Sequence, residues 1–210
     1  MSAVRAGVDP ATMNRPGPMQ PAVGDALIIV DVQNDFLPGG ALSVSTGDEI
    51  IASLNHCIAA FERRRLPIFA TRDWHPPDHC SFRQQGGPWP PHCIAGTEGA
   101  QFAARLQLPP DARVVSKATR PEADAYSGFQ GTDLAEQLQR LDCRRAFIGG
   151  LATDYCVRAT ALDALAAGFE AVVLTDAVRA VEVRPGDGAR ALAEMAARGA
   201  RMLPTDGLLS

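Results

Sequence analysis

Three of the four histidines lie in one short stretch of the chain, together with an aspartate. His75 and His79 follow Asp73 in the sequence DWHPPDH, and His92 lies in the later segment WPPHC. Imidazole nitrogens combined with one carboxylate suit Zn²⁺, Fe²⁺ or Mn²⁺. In an extended segment, residues two apart point to the same side, so Asp73 and His75 can reach one ion together. The pattern therefore predicts one divalent transition metal ion held by these four side chains, rather than unrelated loop histidines.

Cys156 lies just inside a predicted helix, after a turn that starts at Gly149. Thr153 or Asp154 is available as the N-cap of that helix. A thiol at a helix N-terminus feels the helix dipole, which lowers its pKa. Free backbone N–H groups of the same turn can hold a developing oxyanion. We interpret Cys156 as a nucleophile, although most cysteines are small buried core residues and this one taken alone fits either role.

Two charged residues and several aromatic residues could form a site together with Cys156. Asp31 directly follows a buried strand, where desolvation should raise its pKa and make it a general base. Lys117 ends another predicted strand and can pair with Asp31, although a strand-end lysine alone is more often simply exposed. Aromatic residues in predicted loops could form the walls of a pocket for a flat apolar ligand, although each could instead pack only against its own loop. They are Phe36, Trp89 and Tyr126.

The elements that must position these residues alternate along the chain. The apolar run Ala26–Val30 is typical of a strand buried on both faces, and residues 47–65 carry apolar side chains at helical spacing. Further strands are predicted at 67–71, 113–116, 145–148, 170–174 and 201–203, and further helices at 132–141, from the Gly149 turn to 168, and at 187–198. This alternation predicts a single α/β domain, a three-layer α/β/α fold with a mostly parallel sheet of five to six strands.

The predicted sheet places the polar residues at one edge. In open α/β sheets, ligands bind beyond the carboxyl ends of the strands. Asp31, Asp73, Lys117 and the turn before Cys156 each follow a predicted strand. We therefore expect these four features to converge on one rim of the sheet.

Length and composition exclude several classes of protein. The 210 residues suit one domain, and a net charge of -4 gives no reason to expect a nucleic-acid partner. The chain has no run of 18 apolar residues, so we expect no membrane span. Its five cysteines have no regular spacing, which indicates a reducing, cytoplasmic environment. Residues 1–24, rich in proline, are predicted to be a disordered extension before a folded domain at 25–210.

The chain resembles the nicotinamidases, also called pyrazinamidases, of the isochorismatase-like cysteine hydrolase superfamily. The resemblance covers about residue 25 to the C-terminus and includes motifs that are specific in their order and spacing. They are LIIVDVQNDF from Leu27, DWHPPDH from Asp73, WPPHC from Trp89, DAYSGF from Asp124 and GGLATDYCV from Gly149.

The resemblance implies hydrolysis of nicotinamide to nicotinate and ammonia, and of pyrazinamide to pyrazinoate, through a thioester in NAD salvage. It implies the catalytic trio Asp31, Lys117 and Cys156, and an oxyanion hole formed by the N–H groups of Ala152 and Cys156. It also implies a cis peptide bond between Leu151 and Ala152.

The resemblance further implies the ligand set and the substrate pocket. The implied metal ligands are Asp73, His75, His79 and His92. Phe36 and Trp89 would sandwich the pyridine ring. The complete set of implied substrate-binding residues is Phe36, Trp89, Tyr126 and Leu151.

Two departures and several alternatives remain at this point. The N-terminal extension has no counterpart in the family, and Tyr155 stands where some members carry histidine. The main alternative is another amidase of the superfamily that acts on a carbamoyl or ureido substrate. A metal-hydroxide hydrolase with a structural Cys156 is a second alternative, and an isochorismatase or a non-catalytic binding module is less favoured. The metal ion, the preferred substrate and the oligomeric state, including a homo-oligomer, stay open.

Overall fold

The computed structural model describes residues 17–208. The predicted disordered extension falls mostly on residues 1–16, which lie outside the described residues, and for that segment it stays a prediction. Within residues 17–24, Met19 is buried, and its N–H donates to the carbonyl oxygen of Gly207 at 2.7 Å. The chain therefore begins to pack against the domain before its first long strand.

The centre of the fold is a sheet of six parallel strands, as the alternating pattern predicts. Its order is β3-β2-β1-β4-β5-β6, so the chain starts in the middle of the sheet and builds outward on both sides. The strands are β1 (Asp25–Val30), β2 (Ile68–Asp73), β3 (Arg113–Lys117), β4 (Arg145–Leu151), β5 (Glu170–Arg179) and β6 (Arg201–Leu203).

Four α-helices cover the two faces of this sheet. They are α1 (Ile50–Arg63), α2 (Leu134–Arg140), α3 (Arg158–Ala166) and α4 (Asp187–Ala197). Side chains alternate between the faces of a strand. Leu27 and Ile29 of β1 accordingly belong to the core beneath α1, whereas Ile28 and Val30 belong to the core beneath the other three helices. None of the helices among residues 17–208 is long and apolar enough to cross a membrane.

Gly150 of β4 allows β4 and β1 to approach closely near the carboxyl edge of the sheet. Gly150 has a φ of 129°, and a Cβ atom there would overlap the carbonyl oxygen of Val30 in β1. Only glycine combines that backbone conformation with so little space. The register between β4 and β5 shifts between Ile148 and Gly150, and β5 continues to Arg179, beyond its predicted end at residue 174. The turn that contains Cys156 begins just after β4 ends, at the carboxyl edge of the sheet.

Candidate active site

The expected convergence at the carboxyl ends of the strands is observed. Asp31 follows β1, Asp73 and Lys117 are the last residues of β2 and β3, and Cys156 lies in the turn after β4. Each of these side chains is buried. One acceptor atom from each of Asp31, Asp73 and Cys156 lies within 4.8 Å of the other two. Parallel strands in register thus bring together groups that are up to 125 positions apart in the sequence, the span from residue 31 to residue 156.

Lys117 is the centre of this cluster. Its Nζ atom lies 3.0 Å from Asp31 Oδ2 and 2.5 Å from Asp73 Oδ1, which confirms the predicted pairing with Asp31. It also donates to the sulfur of Cys156 at 3.5 Å and to the carbonyl oxygen of Ala125 at 3.2 Å. Burial acts to lower the pKa of this ammonium, but the two carboxylates outweigh it and hold the pKa well above its usual value. Lys117 therefore stays charged.

The two carboxylate oxygens of Asp31 have different partners. Its Oδ1 accepts a hydrogen bond from the hydroxyl of Thr71 at 2.6 Å. Its Oδ2 is ion-paired with the ammonium of Lys117, 3.0 Å away, and accepts no other hydrogen bond from the described residues. Burial raises the pKa of Asp31, against the opposing effect of the Lys117 charge, as the sequence predicted. Oδ2 is therefore the oxygen that can accept a proton from a neighbouring group.

Cys156 lies in a π-helical turn (Thr153–Val157) that precedes α3. Burial raises the pKa of its thiol well above the usual value, although the Lys117 charge acts to lower it. The expected lowering by a helix dipole is therefore wrong, because loss of water and the two nearby carboxylates dominate at this depth. The expected cap is wrong as well, since the turn has no side-chain cap. The carboxylate of Asp154 instead accepts the N–H groups of Val181 and Glu182 at 2.9 and 3.0 Å.

Three of the predicted metal ligands form one compact group beside this cluster. Asp73, His75 and His92 each offer a ligand atom within 4.8 Å of the others. The Nδ1 atoms of His75 and His92 lie 3.1 and 2.8 Å from backbone carbonyl oxygens, those of Ala118 and Pro90. Nδ1–H groups that donate there leave both Nε2 lone pairs for a metal.

The charge state of His75 also suits a metal. Burial, followed by the neighbouring His92, lowers the pKa of His75 to about 3, so its imidazole is neutral at ordinary pH. A neutral imidazole is the form that binds a divalent ion. A set of one carboxylate and two imidazoles fits Zn²⁺, Fe²⁺ or Mn²⁺.

His79, the fourth predicted ligand, lies next to the group but is not part of it. Its ring stacks on that of His75 with centroids 4.1 Å apart. Its Nδ1 lies 2.8 Å from the hydroxyl of Ser81, and its Nε2 lies 3.3 Å from the carbonyl oxygen of Ala123. The structure therefore brings three of the four ligands together and holds the fourth beside them through other contacts.

Cys156 lies in the lining of a pocket at this edge of the sheet. Three predicted aromatic residues line it, Phe36, Trp89 and Tyr126, and the indole N–H of Trp89 donates to the Tyr126 hydroxyl at 3.0 Å. Tyr155 also lines the pocket and packs edge-on against Trp89, with centroids 5.1 Å apart. An aromatic wall of this kind suits a flat ring. Cys156 shares the lining of the pocket with these aromatic residues.

The peptide bond between Leu151 and Ala152 is cis, as the resemblance implies. Ala152 and Cys156, the residues of the implied oxyanion hole, both line the pocket. Leu151 does not line the pocket. Its side chain is buried in the core beneath α1, because the end of β4 points it away from the rim.

Sequence reasoning missed several residues of the site. Leu42 and Val181 line the pocket, and Thr71 binds Asp31. Leu42 and Val181 are apolar residues in loops, and no spacing pattern distinguishes them from other loop residues. Thr71 lies two positions before Asp73, and only the pairing of β1 with β2 brings it to Asp31.

Comparison with known proteins places this geometry in context. Residues 25–207 match the isochorismatase domain family. The chain is 39% identical to the nicotinamidase of Escherichia coli (strain K12) over 198 residues, which cover 84% of this chain and 93% of that protein.

Two solved structures share the fold. The pyrazinamidase of Pyrococcus horikoshii in complex with zinc is 53% identical, with a TM-score of 0.83 and coverage of 86% of this chain and 99% of the other. A protein from L. infantum in complex with nicotinate is 38% identical, with a TM-score of 0.83 and coverage of 89% and 96%. The expected resemblance is therefore confirmed.

Proposed function

Because the chain belongs to the isochorismatase domain family, we propose that it is a metal-dependent cysteine amidohydrolase that converts nicotinamide to nicotinate and ammonia. Pyrazinamide would be hydrolysed to pyrazinoate in the same way. The observation that carries the proposal is the contact of Lys117 with Asp31, Asp73 and Cys156 beneath an aromatic pocket. Similarity to proteins named nicotinamidase and pyrazinamidase supports the substrate.

The first half of the reaction forms a thioester. Asp31 takes the thiol proton of Cys156 through Oδ2, the oxygen beside Lys117, while Lys117 stabilises the charge that moves to sulfur. The thiolate attacks the carboxamide carbon, and a carbon–sulfur bond forms. The N–H groups of Ala152 and Cys156 hold the oxyanion, and loss of one such donor typically costs about 10²–10³ in rate. The carbon–nitrogen bond then breaks, and Asp31 returns its proton to the leaving ammonia.

The second half releases the acid. A water molecule enters the space left by ammonia, and Asp31 removes one of its protons as the oxygen attacks the thioester carbon. The carbon–sulfur bond breaks, the sulfur regains its proton from Asp31, and nicotinic acid leaves the pocket. Its carboxyl proton then passes to ammonia in solution, which gives nicotinate and ammonium. Asp31 and Cys156 are then in their original protonation states. The buried position of Asp31, which raises its pKa, favours its acting as both acid and base.

Asp73, His75 and His92 would hold the metal, and we propose His79 as the fourth ligand. The bound ion would supply Lewis acidity and a fixed point that orients the substrate ring over Cys156. Zinc is one candidate, since the similar pyrazinamidase of Pyrococcus horikoshii was crystallised with it. Phe36 and Trp89 would hold the two faces of the ring, with Tyr126 at the edge.

The reaction fits NAD salvage, because it returns the amide product of NAD breakdown to the acid form. All five cysteines are free in the structure, which agrees with a reducing, cytoplasmic location. Both statements belong to the proposal.

The test is ammonia release from nicotinamide by purified, zinc-loaded protein, with Cys156→Ala as the paired control. We expect release by the wild type and none by the variant. Release by both proteins would remove Cys156 from the mechanism. No release from nicotinamide, with release from a carbamoyl or ureido compound, would overturn the substrate and favour another amidase of the superfamily.

A further inference from the structure

Gln33 lies in the loop that follows β1 and has no part in the reaction described above. Its side chain is completely buried. Its carbonyl oxygen accepts the backbone N–H of Asp73 at 2.8 Å, and its amide N–H donates to the backbone oxygen of the same residue at 2.8 Å. A further bond at 2.9 Å reaches the carbonyl oxygen of Ala100. Gln33 therefore binds both backbone groups of one residue, as a neighbouring strand would, at the point where β2 ends.

Asp35, two positions further along, makes a similar connection to the segment that carries His92. Its Oδ2 accepts the backbone N–H of Cys93 at 2.7 Å, and its Oδ1 accepts that of Ala41 at 3.2 Å. The carbonyl oxygen of Cys93 in turn accepts the N–H of His75 at 3.0 Å. The peptide groups of Cys93 thus connect Asp35 with His75 and adjoin His92.

The surrounding backbone leaves this connection little freedom. A Cβ atom at Gly99 would overlap the carboxylate of Asp35, and one at Gly40 would overlap its backbone. The carboxylate therefore packs directly against the backbone at Gly99. An acceptor held in this way sets the position of the N–H groups that donate to it.

We propose that Gln33 and Asp35 are positioning residues that hold the Asp73 and His92 segments in the arrangement that binds the metal ion. The inference rests on the proposed function, because it takes Asp73, His75 and His92 as metal ligands. Asp31, the proposed base, lies two positions before Gln33 in the same loop. One short segment therefore carries the base and also sets the geometry of the metal site. Loss of such supporting hydrogen bonds typically lowers metal affinity about 10- to 100-fold.

The test measures zinc dissociation constants of the full-length wild type, Gln33→Met and Asp35→Asn by competition with a chromogenic chelator. Gln33→Met keeps the side-chain length but removes both bonds to Asp73. Asp35→Asn keeps one oxygen acceptor but places an amide N–H group against one of the two backbone N–H donors, that of Cys93 or that of Ala41. We expect both variants to bind zinc about 10- to 100-fold more weakly. The matched controls are Gln101→Met, at an exposed glutamine, and Asp48→Asn, at a partly exposed aspartate.

The thermal midpoint of each zinc-free protein separates positioning from general stability. A merely structural role would lower the midpoint and leave the zinc affinity of the folded protein unchanged, which would overturn the proposal for that residue. If Gln33→Met does not fold, Gln33→Glu replaces it, because it keeps the acceptor for the Asp73 N–H and loses the donors. Weaker zinc binding by that variant supports the proposal, and wild-type affinity overturns it.

Nicotinamide hydrolysis by the wild type is measured in parallel. Hydrolysis combined with unchanged zinc affinity in the variants would overturn the positioning role alone. Absent hydrolysis combined with weakened zinc binding would overturn the proposed substrate and leave the positioning role in place.

Discussion

The ammonium group of Lys117 lies 3.5 Å from the sulfur of Cys156, and both side chains are buried. Lys117 also contacts the carboxylates of Asp31 and Asp73, so one positive charge faces two negative ones. Loss of the thiol proton to water would add a third negative charge to this buried cluster. Transfer of that proton to Asp31 leaves the total charge unchanged. Burial is the main cause of the raised thiol pKa, and the two carboxylates add to it, so proton transfer within the cluster is favoured over loss of the proton to water.

Replacement of Asp31 tests this transfer. Asp31→Asn keeps the shape of the side chain but cannot accept the thiol proton. We expect kcat for nicotinamide to fall by about 10²–10⁴, and alkylation of Cys156 by iodoacetamide to slow. Asp133→Asn, at an aspartate whose side chain is 65% exposed, is the control and should keep wild-type values. Wild-type turnover by Asp31→Asn would assign the proton to another acceptor.

Replacement of Lys117 tests the charge balance of the folded protein. Lys117→Met leaves Asp31 and Asp73 as buried carboxylates without a positive partner. Removal of one partner from a buried ion pair typically costs about 3–5 kcal/mol of unfolding free energy, which urea denaturation of the zinc-free protein would measure. Arg140→Met, in an exposed pair with Asp133, should change it by no more than about 0.5 kcal/mol. Equal stability of the two variants would contradict the assigned role of Lys117.

Replacement of a predicted ligand tests the metal site. His75→Ala removes one of the three grouped ligand atoms, and we expect it to lose stoichiometric zinc and to raise KM for nicotinamide. Metal analysis after dialysis and steady-state kinetics measure the two effects. His56→Ala, at an exposed histidine of α1, should retain zinc and activity. Full zinc content in the His75 variant would exclude that residue from the site.

The buried thiol of Cys57 in α1 makes the free energy of unfolding depend on pH in the alkaline range. Burial raises its pKa from 9.0 to about 12 in the folded protein. Between these values the unfolded chain releases the thiol proton and the folded protein keeps it, so the folded state binds more protons and stability falls as pH rises. Below pH 9 the contribution of the protonated thiol to the free energy of unfolding is fully present. Between the two pKa values at most about 4 kcal/mol of that free energy is lost.

Denaturation at pH 8 and pH 11 of the wild type and Cys57→Ala measures this contribution. The variant has no thiol at this position and should lose less stability between the two values. Cys80→Ala, at a partly exposed cysteine, is the matched control. An equal loss of stability in the wild type and in Cys57→Ala would show that the thiol does not titrate differently on unfolding.

The sequence by itself determined the parallel α/β fold and the edge of the sheet at which the polar residues meet. Apolar runs such as Ala26–Val30 and the helical spacing after Gly47 depend on local periodicity, which a sequence displays directly. The carboxyl ends of parallel strands share one edge, so Asp31 and Lys117 could be placed near each other before any contact was known.

The tertiary structure decided the contacts and the electrostatics within that edge. The direction of the Cys156 pKa shift differs from what its place in the sequence indicated, and the core position of Leu151 differs from what the resemblance implied. The place of the His79 ring, stacked on that of His75, is likewise a tertiary feature. The hydrogen bonds of Gln33 to Asp73, 40 positions away, were likewise invisible. These features depend on strand register, on the depth of burial and on charges brought together by distant segments. Local spacing encodes none of these quantities, because they arise only when the strands pack and water is excluded.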